Sequence, residues 1–181
     1  MKKTMGLISI LLFSYLGIAV AANPVSGLDI GKPTLSFTVM DVTGAYAGKR
    51  ICYVCEYQDA PNIISFFRDT GDETAKLIVK LNDLYMKNKD KNLKAFAVIV
   101  AGKEAKTWLE DLKKKSDIEI PMVYLRKGPK DVAVRMYHLD PQVKNTFLVT
   151  VKRTVKANIS DIDPGNFDKV AMAADNMLAG K

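Results

Sequence analysis

Cys52 and Cys55, in the stretch "GKRICYVCEYQDAP", are the residues of this chain best equipped for chemistry. A C-x-x-C spacing lets two sulfurs exchange between dithiol and disulfide, or offers two thiolates to a soft metal ion. In an extended strand, positions i and i+3 point to opposite faces, so the pair can bond only if Tyr53 and Val54 turn the chain. Those two residues are β-formers, but the "EYQDAP" that follows is turn-rich. Lys49 and Arg50 nearby favour a thiolate, while Glu56 and Asp59 oppose one.

Other constellations are poorer. His138 is the single histidine, no G-x-S-x-G is present, and no glycine-rich phosphate loop occurs. Zinc and iron–sulfur centres want four ligands, and covalent haem needs a histidine where Glu56 stands. Asp69, Asp72 and Glu73 suit the acidic start of a helix. Asn158-Ile159-Ser160 fits a glycosylation sequon. For the cysteines, four readings stay open: a structural disulfide, a reactive dithiol/disulfide, a Cu(I) site, and unpaired or lipid-bound thiols. A loop this small constrains the unfolded chain by only about 2 kcal/mol, which is modest for a purely stabilising device.

The N-terminus bears on these readings through compartment. Lys2 and Lys3 precede an apolar run from Gly6 to Val20, and Ala19-Val20-Ala21 offers small residues at the positions a signal peptidase reads. The run is short for a membrane span, and no basic stop-transfer cluster follows it. The expectation is a signal peptide over 1–21, a tether over 22–33 and one domain over 34–181. The exported chain would be periplasmic or secreted, without a stable membrane anchor. An oxidising compartment favours a disulfide for any pair that can meet, and two cysteines are too few for a disulfide framework.

Lysine and arginine total 27 against 20 acids, a formal charge of +7, of which Lys2 and Lys3 account for two. The excess is scattered in clusters such as "KNKDKNLK" and Lys113-Lys114-Lys115, with few aromatics beside them. Nucleic-acid binding wants a coherent basic face with stacking residues, and is not expected. A basic surface can still steer acidic partners.

The chain must build the scaffold that positions the cysteines. "TLSFTVMDVTG" alternates, with Leu35, Phe37 and Val39 on one side, and Arg50 to Val54 could pair with it as a hairpin. "NIISFF", Asn62 to Phe67, is a continuous apolar run, as expected of a strand buried on both faces. A helix capped at Asp72 or Thr74 runs to about Asn88, with Leu77, Leu81, Leu84 and Tyr85 on one face. A strand over 93–101 follows, then a helix carrying Ala105, Trp108, Leu109 and Leu112 on one stripe. Next come a strand over 118–125, a short helix in "DVAVRMYHLD", and the hairpin "TFLVTV"/"TVKANI". A last helix is capped by Asp163 and Pro164. Parallel strands joined by helices, then an antiparallel pair, make a mixed sheet with helices on both faces.

This order resembles the thioredoxin-like superfamily in its secreted redoxin and peroxiredoxin-like branch. "LSFTVMDVTGAYAGK" is similar to the family's opening stretch, "NIISFF" to its first core strand, and "NTFLVTVKRTV" to its late hairpin. The resemblance covers about 32–178. It implies an α/β thioredoxin-like three-layer sandwich with a mixed central sheet and an N-terminal β-hairpin extension. It also implies catalytic cysteines directly after the first core strand, where this chain reads Arg68-Asp69-Thr70-Gly71-Asp72-Glu73. The peroxiredoxin P-x-x-x-T-x-x-C is absent. Lys144 stands where the fold's cis-proline is expected, and Pro141 is displaced from that position.

The reading carried forward is an exported thioredoxin-fold protein with a thiol–disulfide redox or relay role. Cys52 and Cys55 are its catalytic pair, Lys49 or Arg50 would tune the thiolate, and Tyr53 and Tyr57 would shape the partner-facing surface. Its partner is expected to be a redox protein, and it calls for no cofactor and no metal. The competing reading is a non-enzymatic binding module with a structural disulfide or a Cu(I)-binding pair.

Overall fold

The structure, a computed structural model, describes residues 25–180. The expected signal peptide lies outside the described residues. Seven strands form one sheet in the order β2-β1-β5-β4-β3-β6-β7. They are β1 (Val39–Asp41), β2 (Arg50–Ile51), β3 (Asn62–Phe67), β4 (Lys94–Ile99), β5 (Met122–Tyr124), β6 (Asn145–Val151) and β7 (Thr154–Ser160). Five helices join them: α1 (Tyr53–Tyr57), α2 (Asp72–Asn88), α3 (Ala105–Lys115), α4 (Val132–Met136) and α5 (Asp168–Leu178).

β3 pairs in parallel with β4 and antiparallel with β6. Both of its faces are covered, which is why "NIISFF" reads as an unbroken apolar run. Ile63 and Phe67 point into a core closed by α2, α3 and α5, with Leu81, Leu109 and Val170 among the contributing residues. Ile64 and Phe66 point the other way, into a core closed by α1 and α4 through Tyr53, Val54 and Tyr137. The two βα crossovers from β3 through β5 run in one direction along the sheet and therefore set α2 and α3 on the same face. These are the three layers expected from the sequence.

Several strands are shorter than their apolar patterns suggest. The 118–125 stretch is a strand only over Met122–Tyr124, although Ile118 and Ile120 are buried. Here the chain is fastened by Asn82 of α2, whose Oδ1 accepts the amides of Glu119 and Ile120 and whose Nδ2 donates to the Asp117 carbonyl. A side-chain partner replaces the ladder, so burial persists without strand pairing. β2 likewise stops at Ile51 instead of running to Val54, because α1 begins at once.

The described part of the expected tether, from residue 25, lies along β6 and β7. Ser26 Oγ and Thr146 Oγ1 are 2.7 Å apart in the interior, and the Gly27 amide donates to His138 O. Asn158 Nδ2 donates to the carbonyls of Ser26 and Leu28 at 2.9 and 3.1 Å. Gly27 has φ +99°, and a Cβ there would meet Asn158 Nδ2 and Thr146 Cγ2 at 2.8 Å, so the close approach needs glycine. The Asn158→Ala variant should lose about 1–3 kcal/mol of stability in urea titrations. Its Gly27 and Gly31 amides should exchange with deuterium faster than those of β3.

Candidate functional site

Cys52 and Cys55 are joined by a disulfide, with their Cα atoms 5.2 Å apart. The turn that brings them together is the opening of a helix, not a reverse turn at Tyr53-Val54. Cys52 is extended (φ −110°, ψ 94°) and is the N-cap of α1. Its carbonyl accepts the amides of Cys55 and Glu56, both at 3.0 Å, and its sulfur accepts the Cys55 amide at 3.2 Å. Helical backbone puts residues i and i+3 on one side, which brings the sulfurs together despite the β preference of Tyr53 and Val54. Cys55 is exposed and Cys52 half-buried.

A five-residue helix has no stability of its own. α1 is fixed by what its buried face touches. Tyr53 is only 3 % exposed and donates its hydroxyl to Asp41 Oδ2 at 2.7 Å. Asp41, at the end of β1, is itself 2 % exposed. Its Oδ1 also accepts the amides of Thr43 and Gly44, and its Oδ2 that of Tyr46. Four donors thus converge on a carboxylate that water cannot reach, the condition under which a charged group is tolerated inside a protein. The turn after β1 and the cysteine helix share this one acceptor. Gly44 passes so close to Tyr53, Asp41 and Pro121 that a Cβ would collide with all three.

Aromatic packing completes the anchor. The Tyr53 ring lies 5.4 Å from Phe96, 5.3 Å from Tyr57 and 6.2 Å from Tyr46, centroid to centroid. Tyr46 donates its hydroxyl to Glu56 Oε1 at 2.9 Å. A cleft of about 250 Å³ opens beside α1, lined in part by Tyr46, Glu56, Tyr57 and Tyr85. The expectation that Tyr53 faces a partner is therefore corrected: its ring and hydroxyl are consumed in holding α1. Burial raises the pKa of Tyr53 well above the ordinary tyrosine value, and the hydrogen bond to Asp41 raises it further. Burial raises that of Tyr57 as well.

The remaining expected residues are scattered. Lys49, Arg50 and Asp59 are exposed. His138 is exposed, with a left-handed backbone (φ 50°). Among the described residues, no group of three or more His, Cys, Asp or Glu side chains is gathered to hold a metal. Among them, too, no helix is long and apolar enough to cross a membrane.

The position directly after β3 is closed. Arg68 donates Nε to Asp140 O and a terminal nitrogen to Leu139 O, both at 2.9 Å, and its amide to Lys144 O. Partial burial lowers the pKa of its guanidinium. Lys144 faces Glu73 of α2 across 3.7 Å. Ser26 covers the gap, accepting the Asp140 amide, and a cavity of only about 10 Å³ remains, room for no more than a water molecule.

No family model matches the chain, and no curated protein matches it in sequence. Solved structures do match. Peroxidoxin BcpB from Mycobacterium tuberculosis aligns at 16% identity and a TM-score of 0.64, covering 83% of this chain and 96% of that one. A candidate thiol:disulfide interchange protein, DsbE, from Chlorobium tepidum aligns at 15% and 0.66, covering 83% and 99%. The thioredoxin domain of a thiol-disulfide oxidoreductase from Bacteroides vulgatus aligns at 11% and 0.57, covering 80% and 99%. At such identities the likeness is one of fold: the chain has the thioredoxin-like fold that its order of elements suggested.

The buried tyrosines give a test in alkali. Tyr53, Tyr57 and Tyr137 all have raised pKa values in the folded chain. Their contribution is fully present below about pH 10, the unfolded value, and falls as pH rises above it, because only the unfolded chain then releases those protons. Phenolate absorbance should show these three ionising only with unfolding. The Tyr53→Phe variant should lose about 1–3 kcal/mol in urea titrations, since a buried carboxylate gives up a donor.

Proposed function

We propose that this thioredoxin-fold chain exchanges electrons with a partner protein through the Cys52–Cys55 disulfide, in an exported, oxidising compartment. The observation that carries the reading is a disulfide between an exposed residue, Cys55, and a half-buried one, Cys52, whose sulfur already accepts a backbone amide. Exposed disulfides are the labile ones, and a leaving thiolate with a waiting donor departs more readily. The cysteines of α1 thus stand in for those the fold usually carries after its first core strand, a position that Arg68 fills here. The fold likeness to thiol–disulfide enzymes supports the reaction class. The apolar N-terminal run of the sequence supports export.

The exchange balances as follows. A thiolate of the partner attacks Cys55 Sγ, the Cys52–Cys55 bond breaks, and Cys52 leaves as the thiolate under the Cys55 amide. The partner's second thiolate then attacks its own sulfur in the mixed disulfide and releases Cys55. The partner's dithiol has become a disulfide, this chain's disulfide has become a dithiol, and two electrons have passed. The reverse sequence restores the disulfide.

Equilibration with glutathione or dithiothreitol measures the potential of the pair. The expected value lies above about −300 mV, in the range of exchanging disulfides. A value below it, with no exchange against a dithiol reductant, assigns the disulfide a structural role. In the reverse direction, Cys52→Ser should accumulate a stable mixed disulfide when its Cys55 thiolate attacks an oxidised partner, because the Cys52 sulfur that would release that partner as a dithiol is gone.

A further inference from the structure

Beyond the ends of β1 and β5 lies a second cleft, of about 190 Å³, lined by Thr38, Arg50, Arg126, Lys127, Asp131 and Val132 among others. Three cations there face one acid. The acid is engaged: Asp131 Oδ1 accepts the Ala133 amide at the start of α4, and Oδ2 accepts the Lys127 amide. Among the described residues, the ion pairs lie elsewhere, and none involves Arg50, Arg126 or Lys127. Arg50 makes one side-chain hydrogen bond, to Thr38 Oγ1 at 3.2 Å. Two guanidinium groups and an ammonium thus keep most of their donors free in one concavity.

β2 ties this cleft to the disulfide. Arg50, paired with Met40 of β1, lines the cleft and lies two residues before Cys52 in the chain. On the other side of β1, β5 ends at Tyr124, and Arg126 and Lys127 line the cleft from the turn that follows it.

We propose that this cleft docks an acidic segment of the redox partner, with carboxylates placed close in sequence to the partner's attacking cysteine. The inference rests on the redox reading of Cys52 and Cys55 and adds the chemistry of what they meet. Arginine forks match carboxylates in two-pronged geometry, and free rim cations raise the rate of encounter with an acidic surface. Exposed Val132, at 52 %, offers an apolar contact beside them. The overall positive charge of the chain acts in the same direction at longer range.

Three synthetic peptides test it. Each carries a C-x-x-C dithiol preceded, about three residues away, by a run of glutamates, of glutamines or of lysines. Each is mixed with the oxidised protein, and disulfide reduction is followed by thiol alkylation and mass measurement. Every rate is divided by the same protein's rate with dithiothreitol. At low salt the glutamate peptide should react about tenfold faster than the glutamine peptide, and the lysine peptide slowest. The gap should close at high salt, as screening requires. The double variant R126E/K127E should reverse the order, and R126Q/K127Q should flatten it, with circular dichroism reporting that both are folded. Equal rates for the three peptides at low salt, or a preference that survives R126E/K127E, overturn the docking. If dithiothreitol itself leaves the disulfide intact, the redox reading falls and the docking with it. Ready reduction by dithiothreitol with equal peptide rates overturns the docking alone.

Discussion

The Asp41 carboxylate is shut off from water, and a charge in that position is tolerable only while donors in the protein replace the solvent it has lost. Three of its four donors are amides of the turn after β1, and the fourth is the Tyr53 hydroxyl. That single acceptor ties the N-terminal hairpin to the cysteine helix, so the helix cannot shift without leaving a buried charge short of a partner. The orientation of the disulfide follows. With Tyr53 and Val54 turned inward, the i+3 geometry turns Cys55 outward and keeps Cys52 half-covered.

Placing the cysteines on α1 leaves the customary position of the fold to other residues. After β3 the chain presents Arg68, which spends its donors on the carbonyls of Leu139 and Asp140 and locks the loop leading to β6. The segment from residue 25 then lies over the same region through Ser26 and Asn158. These contacts leave no room for a substrate there. A fold seen also in thiol–disulfide proteins thus carries its sulfurs here on a short helix that follows β2.

Much of this was legible in the residues. The all-buried run "NIISFF", the helical stripes of α2 and α3 and the late hairpin are strong periodic signals, and they set out the order of elements and the layers. The cysteine helix was not legible. Five residues are too few to show a period, and Tyr53 and Val54 prefer strands, so the tertiary anchor overrode local preference. Asp41 was missed for a related reason. In "MDVTG" it reads as an ordinary turn residue, and the Tyr53 hydroxyl that marks it as a buried acceptor arrives twelve positions later. The apolar 118–125 stretch was overread as strand because burial there comes from the Asn82 side chain, which leaves no alternation to read. Arg68 could have been noticed as a long cation at the end of a fully buried strand, where it must find carbonyls to satisfy its donors.

The position of first attack on the disulfide tests the proposed role of the cysteine helix most directly. The oxidised protein is mixed briefly with excess glutathione, quenched with acid, and the modified cysteine is identified by peptide mass mapping. Glutathione should be found on Cys55, with Cys52 free, because Cys55 is the more exposed residue of the pair and its amide already donates to the Cys52 sulfur. Glutathione on Cys52, or no adduct at any time point, would contradict a disulfide held for exchange by the Asp41–Tyr53 anchor.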